Sequence, residues 1–379
     1  MPPINVLIKP ASSKCNMRCR YCFYRDVAGL RQTADTGIMS DGTLKALIRS
    51  AIEYSSHICS FTFQGGEPTV AGLEFFEKAV AWQRQYRMES GKKNLEIRNS
   101  IQTNGYIIDE KWADFFRRNR FLVGLSLDGP IHVHDRNRVD ARGEGTFTRI
   151  MRSVELLNRY HVDYNVLSVV TGQNAMSVKK IYRYFVKQGF SHLQFIPCLE
   201  PLGKERGEEN WALSIREYGD FLIQLFDLWY ADLNTGHYIS IRHLDNWLFM
   251  MSGQPPEACN MNGLCSIQFV VESDGKVYPC DFYVLDEWVL GTVGRETFQD
   301  ILDSPRARKF VEASMAVPKA CRDCLYGQLC RNGCMRDRAW DPGEKIWKNY
   351  YCESIYRFFS EREPQFSEAA RILSVCPGT

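Results

Sequence analysis

No run of about 18 apolar residues, the length a membrane-crossing helix needs, occurs in the 379-residue sequence. Charge of one sign is equally scarce. The 47 Lys and Arg stand against 45 Asp and Glu, and a net +2 gives no electrostatic hold on nucleic acid or an acidic membrane. The opening stretch "MPPINVLIKP" lacks the basic and apolar regions of a secretory signal. No low-complexity linker divides the chain, so its halves are expected to pack closely. These absences exclude a membrane span and a nucleic-acid partner. They predict a soluble, cytoplasmic, monomeric chain whose length suits one large domain with an appendage.

Cysteine, by contrast, is plentiful, with fourteen in all. Thiols in a cytoplasmic chain stay reduced, so clustered Cys reads as metal ligation before disulfides. Cys59, Cys198 and Cys376 stand alone and read as small buried hydrophobes. Three others fall together in Cys15-Asn-Met-Arg-Cys19-Arg-Tyr-Cys22, and eight more lie between Cys259 and Cys352. The trio is one ligand short of a closed zinc site, and no His or Cys follows before His57 and Cys59. Either a distant ligand completes it or the fourth position stays open. A three-Cys iron–sulfur site leaves one iron bare for a small molecule, and on spacing alone zinc remains the other reading.

From residue 4 to about 235, strand-like and helix-like stretches alternate: "INVLIKP", "SFTFQ", "EIRNSIQTN", "FLVGLSLDG", "VDYNVLSVVT" and "HLQFIP" are each followed by a helical pattern. Six strand–helix units predict an α/β fold with a parallel sheet, either an open barrel or a doubly wound sheet, with the chemistry on the loops after the strands. Beyond about residue 240, "GLCSIQFVVESDGKVYPCDFYVL" reads as a hairpin turning at Ser-Asp-Gly, followed by a loop-rich, metal-stapled module. The expected division is residues 1–238, 239–354 and a helical tail over 355–379. The aromatics of "LFDLWY" are expected in the core.

The signature "CNMRCRYCFY" after a first strand resembles that of the radical S-adenosylmethionine (SAM) superfamily, built on a partial (βα)6 barrel. "FQGGEPTV" after the second strand is similar to the superfamily's glycine-rich GGE-type motif. The resemblance implies a 4Fe-4S cluster on Cys15, Cys19 and Cys22, with SAM on its open iron. It also implies SAM contacts from Gly65, Gly66 and Glu67, from Ser126 in "GLSLDGP" beside Asp128, and from Arg138. Gln64 would meet the SAM amino group or a peptide, and Tyr24 the substrate or SAM. Asn104 and Leu199 would line the site. A strand-to-helix turn and a solvated Arg are the bland alternatives for "GGEP" and Arg138.

The later cysteines run Cys265-x9-Gly275-x4-Cys280, then Cys321-x2-Cys324-x5-Cys330-x3-Cys334-x17-Cys352, with Cys259 ahead of them. This spacing resembles the SPASM-type domain of peptide-modifying radical SAM enzymes, and the resemblance implies two further 4Fe-4S clusters. Cys259, Cys265, Cys280 and Cys334 would hold the nearer, and Cys321, Cys324, Cys330 and Cys352 the farther. Zinc-ribbon sites are the alternative.

Within the superfamily, "LIKPASSKCNMRCRYCFY", "FTFQGGEPTVAGLEFFEK", "SIQTNG", "QFVVESDGKVYPCDFYVLDEW" and "NYYCES" are similar to anaerobic sulfatase-maturating enzymes. These oxidise a Cys or Ser of a sulfatase, in a Cys/Ser-x-Pro-x-Arg context, to Cα-formylglycine. The resemblance implies hydrogen abstraction from Cβ by a 5′-deoxyadenosyl radical, an electron passed to an auxiliary cluster, and a proton taken by Asp281. A flavodoxin- or ferredoxin-like protein would donate electrons. A capping turn residue is the bland reading of Asp281. The rival within the superfamily is a maturase forming thioether crosslinks. It is disfavoured because the cluster begins at Cys15, leaving no room for a leader-binding element.

Overall fold

Ile4, Val6 and Ile8 alternate with less buried residues, which puts three apolar side chains on one face of the first strand, β1 (Ile4–Ile8). The chain then alternates as its sequence pattern predicts. The strands are β2 (Ile58–Phe63), β3 (Glu96–Thr103), β4 (Phe121–Ser126), β5 (Tyr164–Val170) and β6 (His192–Pro197). Helices Asp41–Tyr54, Leu73–Glu89, Glu110–Arg118, Phe147–Arg159, Val178–Lys187 and Ile215–Asn234 follow them in turn. The first of these helices shows why. Ser40 caps it by accepting from Thr43 N, and Leu44, Leu47, Ile48, Ala51 and Ile52 recur at helical spacing on its buried face.

The computed structural model describes residues 2–375, which divide into two compact units. The first comprises the chain up to Leu127, His134–Asn165 and Ser266–Phe310. In it β1 to β4 pair in parallel in chain order. The short strand β8 (Val270–Val271; β7 is given below) pairs parallel with β1, and β9 (Lys276–Tyr278) and β10 (Gly291–Thr292) continue antiparallel. Phe61, Phe63, Phe76, Phe116 and Phe121 are fully buried and form the centre of its core.

The second unit comprises Asp128–Val133, Val166–Cys265 and the chain from Val311. There β5, β6 and β7 (Ser240–Ile241) pair in parallel, and β11 (Arg338–Asp341) forms a hairpin with β12 (Ile346–Asn349). Phe226 and Trp229 of "LFDLWY" are fully buried, as expected of core residues, whereas Tyr230 is only partly buried. Cys59 and Cys198 are buried too, whereas Cys376 lies outside the described residues.

Compactness does not follow the division at residues 238 and 354. The expected hairpin is present, but its first strand hydrogen-bonds beside β1: Leu7 N donates to Phe269 O at 3.2 Å and Lys9 N to Val271 O at 2.9 Å. Residues 266–310 therefore belong to the first unit. The helical tail also starts earlier than residue 355, as helix Cys352–Val375. It is held against helix Ile215–Asn234 by Ser354 Oγ on Ile215 O at 2.5 Å and by Arg362, which grips both oxygens of Asp227 at 2.6 and 2.9 Å.

Polar contacts organise the cysteine-rich part of the second unit. The buried guanidinium of Arg338 donates to Gly263 O, Ser314 O, Asn332 O and Gly333 O at 2.8 to 3.2 Å. It thereby gathers three loops, and Ser314 Oγ accepts from Cys265 N at 2.9 Å. Arg338→Met leaves four carbonyls without that donor. It is expected to destabilise the chain by about 3 kcal/mol or more in a denaturant titration, whereas Arg216→Met on the surface should stay within about 0.5 kcal/mol.

Candidate active site

The loop after β1 carries Cys15, Cys19 and Cys22. It is shaped by pairing rather than by apolar packing. Arg18 N donates to Val139 O at 2.7 Å, Arg20 N to Asn137 O at 2.9 Å, and Met17 bridges Asp140. The loop after β2 presses on its other side, where Glu67 N donates to Lys14 O at 2.8 Å. Gly66 has φ of +45°, and a Cβ there would stand 2.3 Å from Lys14 O, so only glycine allows this approach.

Glu67 is buried, and both of its oxygens accept hydrogen bonds within the protein. Oε1 accepts from Thr69 N at 3.0 Å, Thr69 Oγ1 at 2.6 Å and Thr103 Oγ1 at 2.7 Å, and Oε2 accepts from Asn104 N at 2.7 Å. Burial raises its pKa, and these four donors oppose the rise. Asn104, held in this way, donates through Nδ2 to Asn16 Oδ1 at 2.8 Å and lies 3.7 Å from Cys15 Sγ. The Cys15 thiol is pushed up to about 12, first by burial of the sulfur, with Glu67, Cys19 and Cys22 adding to it. Cys19 and Cys22 thus disfavour the Cys15 anion, and a bound cation would reverse that balance. The trio therefore suits a metal cluster.

Asp281 opens a short 3-10 turn directly after Cys280 and is buried. Its Oδ2 accepts from the Tyr24 hydroxyl and, at 3.1 Å, from Gln64 Nε2, which also donates to Tyr24 OH at 2.7 Å. Its Oδ1 faces Lys9 Nζ at 3.3 Å. The Tyr24 phenol is held well above its ordinary pKa by burial and then by the Asp281 carboxylate, so it stays protonated and donates. Four segments far apart in sequence thus meet at one carboxylate: the end of β1, helix Phe23–Gly29, the end of β2, and the turn after β9.

In the second unit Cys321, Cys324, Cys330 and Cys352 line one cavity together with Asn332, Tyr326 and Tyr356. The Cys330 thiol is pushed up to about 11, mainly by burial, then by Cys352 and Cys321. Asn349 Nδ2 lies 3.7 Å from its sulfur. Among the described residues no group of three or more His, Cys, Asp or Glu is arranged to hold a single metal ion. Four thiols around a shared cavity suit a larger inorganic core better. Cys259, Cys265 and Cys334 also belong to the second unit and Cys280 to the first, and their joint ligation rests on the family resemblance.

Of the remaining expected residues, Ser126 ends β4 and its hydroxyl accepts from Gln102 Nε2 at 3.1 Å. Arg138 is buried beside the cysteine loop, its guanidinium 5.4 Å from the Tyr21 ring centroid. Leu199 is buried just after β6, and the Asp128 carboxylate accepts from Val169 N at 3.1 Å. Lys9 was not anticipated; a lysine before a proline in "LIKP" gives no sign that its partner stands 272 residues later. Asn104→Ala removes the side-chain tie to the cysteine loop. Reconstituted protein should then hold about one third less iron, one cluster in three. Unchanged iron content would show that the tie is dispensable.

Comparison with known proteins agrees with this arrangement. Residues 10–185 match the family model of the radical SAM superfamily, and residues 263–325 that of an iron–sulfur cluster-binding domain. A cysteine-type anaerobic sulfatase-maturating enzyme of Clostridium perfringens is 45% identical over 98% of this chain and 99% of its own length. A serine-type enzyme of Bacteroides thetaiotaomicron is 30% identical over 96% and 90%. The solved structure of native anSMEcpe with bound AdoMet and Cp18Cys peptide superposes with a TM-score of 0.93 at 44% identity, covering 98% of this chain and all of that one. With this identity along nearly its whole length, the chain belongs to the anaerobic sulfatase-maturating enzymes of the radical SAM superfamily.

Proposed function

We propose that this chain oxidises a cysteine side chain of a sulfatase polypeptide to Cα-formylglycine, with serine as the lesser target. The observation that supports this best is the Asp281 carboxylate, buried next to Cys280 and accepting hydrogen bonds from Tyr24 and Gln64. Cysteine is favoured because identity to the cysteine-type relative, 45%, exceeds that to the serine-type relative, 30%.

Cys15, Cys19 and Cys22 would hold the first cluster. The four thiols around the second-unit cavity would hold one auxiliary cluster, and Cys259, Cys265, Cys280 and Cys334 the other. When bound, SAM and these clusters supply the radical that removes a Cβ hydrogen and the acceptor for one electron. The protein's own task is the proton. Asp281 takes it from the target side chain, directly or through one water, once that group lies within hydrogen-bond reach. A cysteine that loses a hydrogen atom, a proton and an electron becomes a thioaldehyde, which water converts to the aldehyde with release of sulfide. A serine yields the aldehyde directly.

Gln64, Gly65, Gly66, Ser126, Arg138 and Leu199 are assigned to the SAM side of the site, with Tyr24 between SAM and peptide. Glu67 belongs to that side too, and its carboxylate also holds the loop through Thr103 and Asn104. The same reading places residues 1–238 with the radical chemistry and 239–354 with the auxiliary clusters. It includes a flavodoxin- or ferredoxin-like electron donor and a cytoplasmic monomer. No helix among the described residues is long and apolar enough to cross a membrane.

Anaerobically reconstituted protein, given SAM, reductant and paired Cys-x-Pro-x-Arg and Ser-x-Pro-x-Arg peptides, should yield a formylglycine mass and 5′-deoxyadenosine, faster from the Cys peptide. Deoxyadenosine without modification of either peptide would overturn the substrate assignment. Asp281→Asn is expected to release deoxyadenosine while product formation falls by about 100-fold or more, the scale of a lost general base.

A further inference from the structure

Lys9 has no part in the mechanism so far, yet it is among the most constrained residues of the first unit. Its backbone is fixed between β1 and β8, and the residue is only 3% exposed. A buried ammonium persists only when paired. Here Nζ has the Asp281 carboxylate at 3.3 Å and the face of Tyr24 at 4.1 Å from the ring centroid. A cavity of about 10 Å³ lined by Lys9, Ser12, Ser13 and Tyr24 adjoins it, room for one water on a remaining ammonium hydrogen.

The partners of Asp281 are divided unequally. Oδ2 accepts from two donors, Tyr24 and Gln64, while Oδ1 has Lys9. A carboxylate oxygen offers about two lone-pair directions. Oδ2 is therefore filled, and Oδ1 keeps one direction for an incoming proton. Whatever fixes Oδ1 decides where that direction points.

The glycine motif records the same requirement. Gly65 has φ of +91°, and a Cβ there would stand 2.7 to 2.8 Å from Cε, Cγ and Nζ of Lys9. The two adjacent glycines thus answer to different neighbours, Gly66 to the backbone of the cysteine loop and Gly65 to the stem of a lysine.

We propose that Lys9 is a positioning residue for the reaction, holding Oδ1 of Asp281 toward the target side chain, and that Gly65 is glycine so that the lysine can cross it. The proposal rests on Asp281 as the base.

The test uses reconstituted holoenzyme and the Cys peptide, and reads formylglycine formed per 5′-deoxyadenosine, peptide KM, iron content and thermal midpoint. A base displaced by about 1 Å costs about 100-fold. Lys9→Met should accordingly lower the product ratio by about 10- to 100-fold through kcat, with KM nearly unmoved, and Lys9→Arg should recover part of it. Gly65→Ala should reproduce the lowered ratio by displacing the ammonium. An unchanged ratio in Lys9→Met overturns the proposal. So does a Lys9→Arg protein no better than Lys9→Met, or a loss confined to iron content and thermal midpoint, which would mark a purely structural lysine. Asp281→Asn run in parallel separates the two readings. If it keeps product formation, the base assignment fails and takes the proposal with it. If it loses product while Lys9→Met does not, only the role of Lys9 fails.

Discussion

The first unit depends on one buried carboxylate. Glu67 accepts from Thr69, Thr103 and Asn104, and its own amide donates to Lys14, so the loops after β1, β2 and β3 are bound to a single side chain. Without it the ends of β2 and β3 would have to find other partners for buried donors, at about 1 to 3 kcal/mol for each one left unsatisfied. The three thiols, Gln64 and the glycines beside it are mounted on those loops. The Glu67 carboxylate also adds to the rise of the Cys15 thiol, an effect that a cation bound on that loop would offset.

Much of this was legible from the sequence, for identifiable reasons. The strands and helices up to Asn234 declare themselves by period, as in the buried Leu44, Leu47, Ile48, Ala51 and Ile52, and by caps such as the Ser214–Glu217 box. The cysteine sets stand out by their spacing, and Asp281 was singled out through the family resemblance at its place beside Cys280. What stayed hidden is what depends on long-range pairing. A strand of two residues, Val270–Val271, leaves no periodic trace, so its pairing with β1 is not visible in the sequence. Lys9 reads as an ordinary basic residue until its distant partner is placed beside it. The four protein donors of Glu67 are visible only in three dimensions.

The cysteine-rich part of the second unit solves a different problem. Its loops hold few large apolar side chains, and they are ordered instead by multiple donors on single hubs. Arg338 serves four carbonyls, Asn332 links Trp347 O to Asn349 N, and Glu344 accepts from the amides of Lys319 and Ala320. One of these hubs, Asn332, also lines the cavity shared by Cys321, Cys324, Cys330 and Cys352.

The pairing of β8 with β1 also bears on how the chain can be divided. Remove everything after Cys265 and β1 loses the carbonyls of Phe269 and Val271. Its amides would then face water as an open edge, ready to recruit a strand from another molecule. The radical SAM half is thus not a free-standing module to which an iron–sulfur cap was added. Its first strand is a seam closed from the far end of the sequence, so a chain still emerging from the ribosome carries that seam open until at least Val271 has been made.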